Sequence, residues 1–95
     1  MAWVYILKCI DGAFYTGSTV DLERRLFEHN AGLGANFTRR RLPVTVVFAA
    51  QTESVEEAFR WEKRIQGWSR AKKLALIEGR WKDLPGLSRR RIANG

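Results

Sequence analysis

An arginine, a histidine and a glutamate are the side chains whose positions in this sequence point to chemistry. Arg25 precedes His29 by four residues, one helical turn, so both side chains can reach the same small ligand. Glu62 falls at the centre of an apolar helical stripe, where an ionised carboxylate is costly unless a cation or hydrogen bonds compensate for it. A hard divalent ion such as Mg²⁺ would do so. The three positions therefore predict a small-ligand site and a candidate metal ligand.

Each of these side chains also has a purely structural interpretation. The stripe around Glu62 consists of Val55, Ala58, Phe59 and Ile65. Glu62 can pair with Arg25 or another base across the core, and Gln66, one turn later, could orient it. Arg25 can be a surface base whose stem packs while its head stays in water, and His29 can simply favour the negative end of the helix dipole. The residue types alone leave these alternatives open.

Length and charge limit the kind of protein this is. The chain has 95 residues, enough for one domain, and 17 Lys and Arg against 10 Asp and Glu leave a net charge of +7, which attracts polyanions. Nucleic acid is the expected partner, DNA more readily than RNA, and we also consider a protein partner that supplies specificity. No apolar run approaches the roughly 20 residues that span a bilayer, and the first residues lack the features of a secretory signal. We expect a soluble, cytoplasmic protein.

Cysteine and histidine usage restricts the metal chemistry. Cys9 is the only cysteine and His29 the only histidine. A disulfide within the chain and a Cys/His zinc cage are therefore both excluded. Any metal must be held mainly by oxygen ligands.

Hydrophobic periodicity and turn signals predict an α+β domain with the element order ββαβαα. We expect a small three-stranded, largely antiparallel sheet flanked by helices over residues 1–78, followed by a basic tail at 79–95. Asp21, Ser54 and Ser69 are the predicted N-caps of the three helices. The predicted elements are strands at 3–9, 13–18 and 44–49, helices at 22–30, 55–67 and 70–77, and a glycine-punctuated loop at 31–43.

The turn between the first two strands decides whether their tyrosines share a face of the sheet. If residues 10–12 form a three-residue loop with Gly12 in the left-handed region, Tyr5 faces Gly17, and Tyr5 and Tyr15 lie on one face. A two-residue turn puts them on opposite faces. In the first arrangement, Gly17 leaves room beside Tyr5 for a phosphate or a water. Without further evidence, both tyrosines are ordinary strand aromatics.

Two tyrosine motifs and the helix that follows them form an ordered set. The motifs are Trp3-Val4-Tyr5 on the first strand and Tyr15-Thr16-Gly17 on the second, followed by the helix with Arg25 and His29. This set resembles the GIY-YIG nuclease superfamily, over roughly residues 3–78, and most closely its short stand-alone members. Trp3 stands where the first motif of that family usually has glycine, and Thr16 replaces the central isoleucine of the second.

The resemblance implies a metal-dependent endonuclease that uses Mg²⁺ or Mn²⁺. It makes Tyr5 the general base, with Tyr15 hydrogen-bonded nearby. Arg25 would stabilise the charge that develops on phosphorus, His29 would assist, and Glu62 would hold the metal. A phenol with a pKa of about 10 needs neighbouring positive charge to act as a base. The rival hypothesis is a basic nucleic-acid-binding module on the same fold that does not cut, or that needs a partner to cut.

Further basic residues are predicted to contact the phosphate backbone rather than to read bases. They are Arg39, Arg40 and Arg41, which follow Asn36 and Thr38 on a loop with Gly32 and Gly34, and then Lys63, Arg64, Arg70, Lys72 and Lys73. For any one of them, the alternative is a solvated charge that keeps the protein soluble. Trp61 and Trp68 could stack bases, but a tryptophan in a small domain more often fills the core or a groove.

Overall fold

The computed structural model describes residues 1–80 and confirms the predicted α+β order with one addition. The elements are β1 (Ala2–Lys8), β2 (Phe14–Thr19), α1 (Leu22–Asn30), α2 (Asn36–Arg39), β3 (Thr45–Thr52), α3 (Val55–Gln66) and α4 (Arg70–Ile77). The addition is α2, a single turn inside the predicted loop at 31–43. It is closed by the Arg39 N–H and the Thr38 hydroxyl, which both donate to the carbonyl of Ala35. Of the predicted tail at 79–95, residues 81–95 lie outside the described range.

β1 is the central strand of an antiparallel sheet with the order β2-β1-β3. Successive side chains of a strand point to opposite faces, and β1 is buried on both: Val4 and Ile6 on one face, Tyr5 and Leu7 on the other. β2 is an edge strand. At this open edge of the sheet, side chains from its two faces can therefore approach each other.

The hairpin between β1 and β2 has the three-residue loop that puts both tyrosines on one face. Gly12 has φ +87°, and the Cys9 N–H donates to the carbonyl of Ala13 over 2.8 Å. The resulting pairs are Tyr5 with Gly17 and Leu7 with Tyr15. The three-residue loop is confirmed, and the two-residue alternative is excluded.

Different helices cover the two faces of the sheet. α3 and α4 cover the first face, where the core consists of Val4, Ile6, Phe48, Ala50, Trp61, Ile65, Ala75 and Leu76. α1 covers the second face, where a smaller core of Tyr5, Leu7, Cys9 and Val44 packs against Leu22 and Leu26. Each face buries its own apolar set, so the candidate residues on α1 and α3 start on opposite sides of the sheet.

The buried face of α3 differs from the predicted stripe. Its buried residues are Ala58, Trp61 and Ile65. Val55 and Phe59 are instead 57% and 50% exposed, because the large ring of Trp61 takes the core position and turns them towards solvent. Glu62 is consequently half-buried at the border of this face rather than at the centre of an apolar stripe. The buried position of Trp61 agrees with its interpretation as a core residue.

The helices begin where the capping residues predict. Asp21, Ser54 and Ser69 accept hydrogen bonds from the backbone N–H groups of Arg24, Glu57 and Lys72. Each cap satisfies a donor that the helix itself leaves unpaired and thereby sets which residues of the helix face the sheet. Within residues 1–80, no helix is long and apolar enough to cross a membrane.

Gly12→Ala is expected to destabilise the fold, and Gly67→Ala is not. The φ of +87° at Gly12 costs an L-residue about 1–2 kcal/mol. Gly67 has φ −85°, which alanine adopts without strain, so alanine there should stabilise by about 0.4–1 kcal/mol through the unfolded chain. Urea denaturation of both variants measures the difference. Equal free energies of unfolding would contradict the left-handed conformation of Gly12.

Candidate active site

The side chain of Tyr5 packs directly against Gly17 of the edge strand. A Cβ atom at Gly17 would lie 2.5 Å from the Tyr5 hydroxyl oxygen, so a larger residue would displace the tyrosine. The space at Gly17 was predicted to hold a phosphate or a water. That prediction was wrong, because the tyrosine itself, only 1% exposed, fills the space. Glycine here allows the phenol to reach the edge of the sheet.

His29 is the centre of a hydrogen-bonded chain that joins three elements. Its Nε2 lies 3.2 Å from the Tyr5 hydroxyl on β1, and its Nδ1 lies 2.9 Å from Thr38 Oγ1 on α2. The Thr38 hydroxyl donates its one proton to the carbonyl of Ala35 over 3.0 Å. Thr38 must therefore accept from the Nδ1–H of His29. In the neutral imidazole this leaves a lone pair on Nε2, which accepts from the Tyr5 hydroxyl.

The environment of His29 favours that neutral form. The side chain is 0% exposed, and burial, followed by the nearby charge of Arg25, lowers the pKa of His29. A protonated histidine stabilised by the helix dipole was the structural alternative. Burial outweighs the dipole here because a charged imidazole would lose its hydration. The group is placed to accept a proton.

Two residues that hold His29 were not identified from the sequence as part of the site. In the sequence, Thr38 was noted only as a neighbour of the predicted phosphate contacts at 39–41, whereas in the structure it is 0% exposed and orients the imidazole. At Gly34, a Cβ atom would collide with the ring of His29, so this loop position must be glycine. The glycines of the loop were the signal available in the sequence, since each marks a place where the backbone can approach another group closely.

Arg25 and Arg24 point in different directions, as the helical geometry predicts. Both pair with Glu28, at 2.9 Å for Arg25 and 3.3 Å for Arg24, but their side chains are 33% and 75% exposed. Burial raises the pKa of Tyr5 to about 12, and the nearby guanidinium of Arg25 opposes that rise. Arg25 thus lies at the phenol while Arg24 lies in solvent.

Tyr15 contacts the site through its ring. Its ring meets His29 edge-to-face at a centroid distance of 5.3 Å and stacks on Phe37 of α2 at 6.2 Å. The resemblance implied that Tyr15 is hydrogen-bonded next to Tyr5, whereas the Tyr5 hydroxyl bonds to His29. Burial, followed by the charge of Glu62, raises the pKa of Tyr15. Tyr15 is therefore a neutral phenol between the imidazole and Glu62.

Glu62 approaches the same edge of the sheet from the opposite face. Its Oε1 accepts from the Ser18 hydroxyl over 2.6 Å, and its Oε2 accepts from Gln66 over 2.9 Å. Gln66 also donates to the carbonyl of Thr16 over 3.2 Å, which ties the carboxylate to β2. The predicted orienting contact of Gln66 is present, and Ser18 is a partner that the sequence did not reveal. Among the ion pairs of residues 1–80, Arg25 pairs with Glu28 and not with Glu62, so the alternative of an ion pair between Arg25 and Glu62 is not seen.

The donor set at this edge fits a metal held jointly by protein and substrate. A carboxylate has about four lone-pair positions, so Glu62 can bind a cation while keeping both hydrogen bonds. Residues 1–80 contain no group of three or more His, Cys, Asp or Glu side chains that could hold a metal ion alone. Mg²⁺ is often bound by one or two carboxylates together with substrate phosphates and waters. Glu62 matches that mode of binding.

Of the three consecutive arginines at 39–41, one is held by contacts with the fold and two are exposed. Arg41 is held by the fold: its Nε lies 3.0 Å from an Asp11 oxygen, and its guanidinium lies 4.0 Å from the centre of the Phe37 ring. These contacts fix Arg41 in place, and its predicted contact with phosphate stays a prediction. Arg39 and Arg40 are exposed, so both can still meet a phosphate.

The predicted lysine contacts lie on α3 and α4. Lys63 covers the ring of Phe59 at 4.9 Å, and Lys72 covers the ring of Trp68 at 4.6 Å. Lys73 is half-buried, and burial lowers its pKa.

Known proteins share this fold and much of this sequence. A UPF0213 protein of Halobacterium salinarum is 51% identical over 77 residues, which cover 81% of this chain and 100% of that protein. The solution NMR structure of a UPF0213 protein from Bacillus halodurans has a TM-score of 0.53 at 46% identity, over 82% of this chain and 84% of that one. The solution NMR structure of a protein from E. faecalis has a TM-score of 0.56 at 39% identity, over 81% of this chain and 82% of that one.

The match to a family covers most of the chain. Residues 1–75 match the GIY-YIG catalytic domain. This stretch contains both tyrosine motifs, the helix α1 and the α3 glutamate, and so spans every residue of the candidate site. The resemblance seen in the sequence is confirmed. The chain belongs to the GIY-YIG family.

Proposed function

We propose that this protein is a metal-dependent endonuclease that hydrolyses phosphodiester bonds in nucleic acid. The observation that carries the proposal is the meeting of two sets of groups around one edge strand. Tyr5, Arg25 and His29 reach β2 from the α1 side, and Glu62 reaches it from the α3 side. A base, an anion-stabilising cation and a metal ligand are the groups that phosphodiester hydrolysis requires. Membership of a nuclease superfamily supports the same activity.

Arg25 is the residue proposed to hold the scissile phosphate. Its guanidinium is next to the Tyr5 hydroxyl and is one-third exposed, so a phosphate can reach it from solvent. Charge accumulates on the phosphate oxygens as water attacks, and a fixed cation stabilises that charge more than it stabilises the ground state. Mg²⁺ or Mn²⁺ bound at Glu62 would supply further positive charge to the phosphate and the leaving oxygen.

His29 allows a buried tyrosine to act as the base. A phenol with a pKa of about 12 is protonated at neutral pH and must lose its own proton as it accepts one. In the proposed step, water forms a bond to phosphorus and gives a proton to the Tyr5 oxygen, while the Tyr5 proton passes to Nε2 of His29. The bond from phosphorus to the leaving oxygen breaks, and that oxygen takes a proton from solvent. The attacking water, Tyr5 and His29 would then act as one proton-transfer chain.

The activity is tested on a panel of labelled substrates. Single-stranded, duplex and branched DNA and RNA are incubated with the protein in Mg²⁺, in Mn²⁺ and in a chelator. We expect cleavage of at least one substrate that depends on the divalent ion. Binding without metal-dependent cleavage of any substrate would instead support the rival function, a non-catalytic or partner-dependent nucleic-acid-binding module.

Glu62→Gln and Glu62→Ala are expected to lower metal-supported cleavage by about 10²-fold or more without unfolding the protein. The carboxylate is half-exposed, and its two hydrogen bonds are each worth about 1 kcal/mol, so the loss of stability should be small. Glu56→Gln is the matched control, because it removes the same charge from the exposed side of α3. A loss of several kcal/mol in unfolding free energy, measured without metal, would show that Glu62 is a structural residue.

Arg25→Ala is expected to lower kcat by about 10²-fold, whereas Arg24→Ala should mainly weaken substrate binding. Both variants remove one positive charge and one partner of Glu28, so the two share their effect on bulk electrostatics. The two arginines differ in that Arg25 lies next to Tyr5 and Arg24 lies in solvent. Equal losses of kcat at saturating substrate would contradict the placement of Arg25 in the site.

Cleavage is expected to fail at acidic pH because His29 becomes protonated. Burial lowers the pKa of His29, so the acid limb of kcat/KM should lie below the ordinary value of about 6.5. The same shift makes unfolding easier as pH falls from about 6.5 through the folded-state pKa, so unfolding is monitored at each pH. NMR of the one histidine in the chain measures its pKa and tautomer directly. A pKa at or above the ordinary value, or a proton on Nε2 at neutral pH, would refute the proposed proton transfer.

A further inference from the structure

A small pocket opens at the same edge of the sheet, next to the candidate active site. Its volume is about 230 Å³, and it is lined by Phe14, Tyr15 and Thr16 of β2, Phe37 of α2, Gln66 of α3 and Lys73 of α4. Sites for drug-sized ligands have volumes of about 300–1,000 Å³. This pocket is therefore suited to one planar ring system rather than to a larger ligand.

The walls of the pocket are aromatic. Phe14, Tyr15 and Phe37 contribute three rings, and Phe37 is 40% exposed although it is one of the larger apolar side chains of the chain. Aromatic side chains at the mouth of a basic groove are the usual contacts of unstacked bases, because every base has a face that can pack on a ring. Shape and surface chemistry therefore favour a nucleobase over an aliphatic ligand.

One of the residues that line the pocket carries a buried hydroxyl without a partner. Thr16 is 3% exposed, and among residues 1–80 its Oγ1 is the buried side-chain oxygen that has no hydrogen-bond partner. A buried polar group left unpaired is costly. Thr16 lines the pocket, but its hydroxyl is covered by neighbouring atoms, so a ligand in the pocket meets other atoms of this residue.

Two basic residues stand at the same place. Lys73 lines the pocket, and the guanidinium of Arg70 lies 4.2 Å from the centre of the Phe14 ring. The charge of Arg70 contributes to the lowered pKa of Lys73, so the two cations repel each other. A phosphate attached to a base in the pocket would relieve this repulsion.

The pocket is connected to the proposed catalytic groups by shared side chains. Tyr15 is a wall of the pocket and also contacts His29. Gln66 is another wall and donates to Glu62. A base in the pocket would therefore belong to a nucleotide next to the phosphate at Arg25 and Glu62, not to a distant part of the substrate.

We propose that this pocket receives one unpaired nucleobase adjacent to the scissile phosphate. The inference rests on the proposed function and specifies its substrate class: nucleic acid that is single-stranded or locally unpaired at the cut, as in a bulge, a flap or a junction. A base stacked in a duplex cannot enter a side pocket unless it is first unstacked and unpaired. A nucleotide that is already unpaired avoids that cost, so the pocket selects for substrates with one.

The first test removes a nucleobase from the substrate and leaves the protein unchanged. The cut in a single-stranded oligonucleotide is mapped, and a series of substrates then carries one abasic analogue at each position around it. With the wild-type protein, we expect kcat/KM to fall by about 5- to 150-fold at one position next to the cut, the range for loss of one base-stacking contact. Other positions should change little. The same series is measured for binding in a chelator, by fluorescence anisotropy.

Matched variants show whether the effect comes from this pocket. In Phe37→Ala the abasic effect should shrink towards zero, whereas in Phe59→Ala it should remain. Phe59 is a suitable control because it is also an exposed phenylalanine with a cation over its ring, but on α3 away from this pocket. Thr16→Val keeps the shape of the side chain and removes a hydroxyl without a partner. It should fold at least as stably as wild type and keep the abasic effect, because this hydroxyl is covered by neighbouring atoms and does not contact the base.

The outcomes separate this inference from the proposed nuclease activity. A protein that cuts with no position-specific abasic effect, or with an effect that Phe37→Ala leaves intact, would overturn the base pocket and leave the nuclease standing. Binding that weakens when the base at one position is removed, without cleavage of any substrate, would overturn the nuclease activity and support the base pocket. Cleavage of a fully paired duplex as fast as the same duplex with a bulge at the cut would overturn the predicted substrate class.

Discussion

The buried, neutral imidazole of His29 is the contact on which the arrangement of the site depends. It lies between the phenol of β1 and the hydroxyl of α2, and the backbone carbonyl of Ala35 sets the direction of the whole chain of hydrogen bonds. A charged imidazole would reverse the polarity at Nε2 and lose the bond from Tyr5. Neutrality follows from burial, so the core packing that excludes water also determines which atom can accept a proton.

The edge strand β2 makes a shared site physically feasible. The candidate groups lie on opposite faces of the sheet, and a central strand would keep them apart with its own side chains and its two neighbours. Among the strands of residues 1–80, β2 has no outer neighbour, and Gly17, which has no side chain, leaves room for the Tyr5 hydroxyl. Edge strands are normally a liability because their backbone groups can recruit another chain. Here Gln66 covers the Thr16 carbonyl and so protects part of the edge.

In this small domain, a single side chain often has several roles. Gln66 orients the carboxylate, binds the strand and lines the pocket, and Tyr15 contacts both the imidazole and the pocket. The proposed cleavage and the proposed recognition of a nucleobase therefore depend on the same side chains. A change at Gln66 or Tyr15 is expected to alter both, so Phe37, which lines the pocket without being one of the proposed catalytic groups, is the better position at which to test base selection.

Local interactions explain what the sequence by itself determined. The caps at Asp21, Ser54 and Ser69, the glycine at position 12 and the alternation along β1 depend on neighbours within a few residues, and each has the predicted structure. Arg25 and His29 share a helix, so their common direction also followed from the sequence. Tertiary packing alone decided the rest. Burial of Trp61 turned Glu62 to the border of α3, Ala35 and Thr38 closed a turn that no periodicity marks, and Ser18 met Glu62 from a position 44 residues away. Such contacts depend on how helices and sheet fit together in space, which the types and spacing of residues in one segment do not specify.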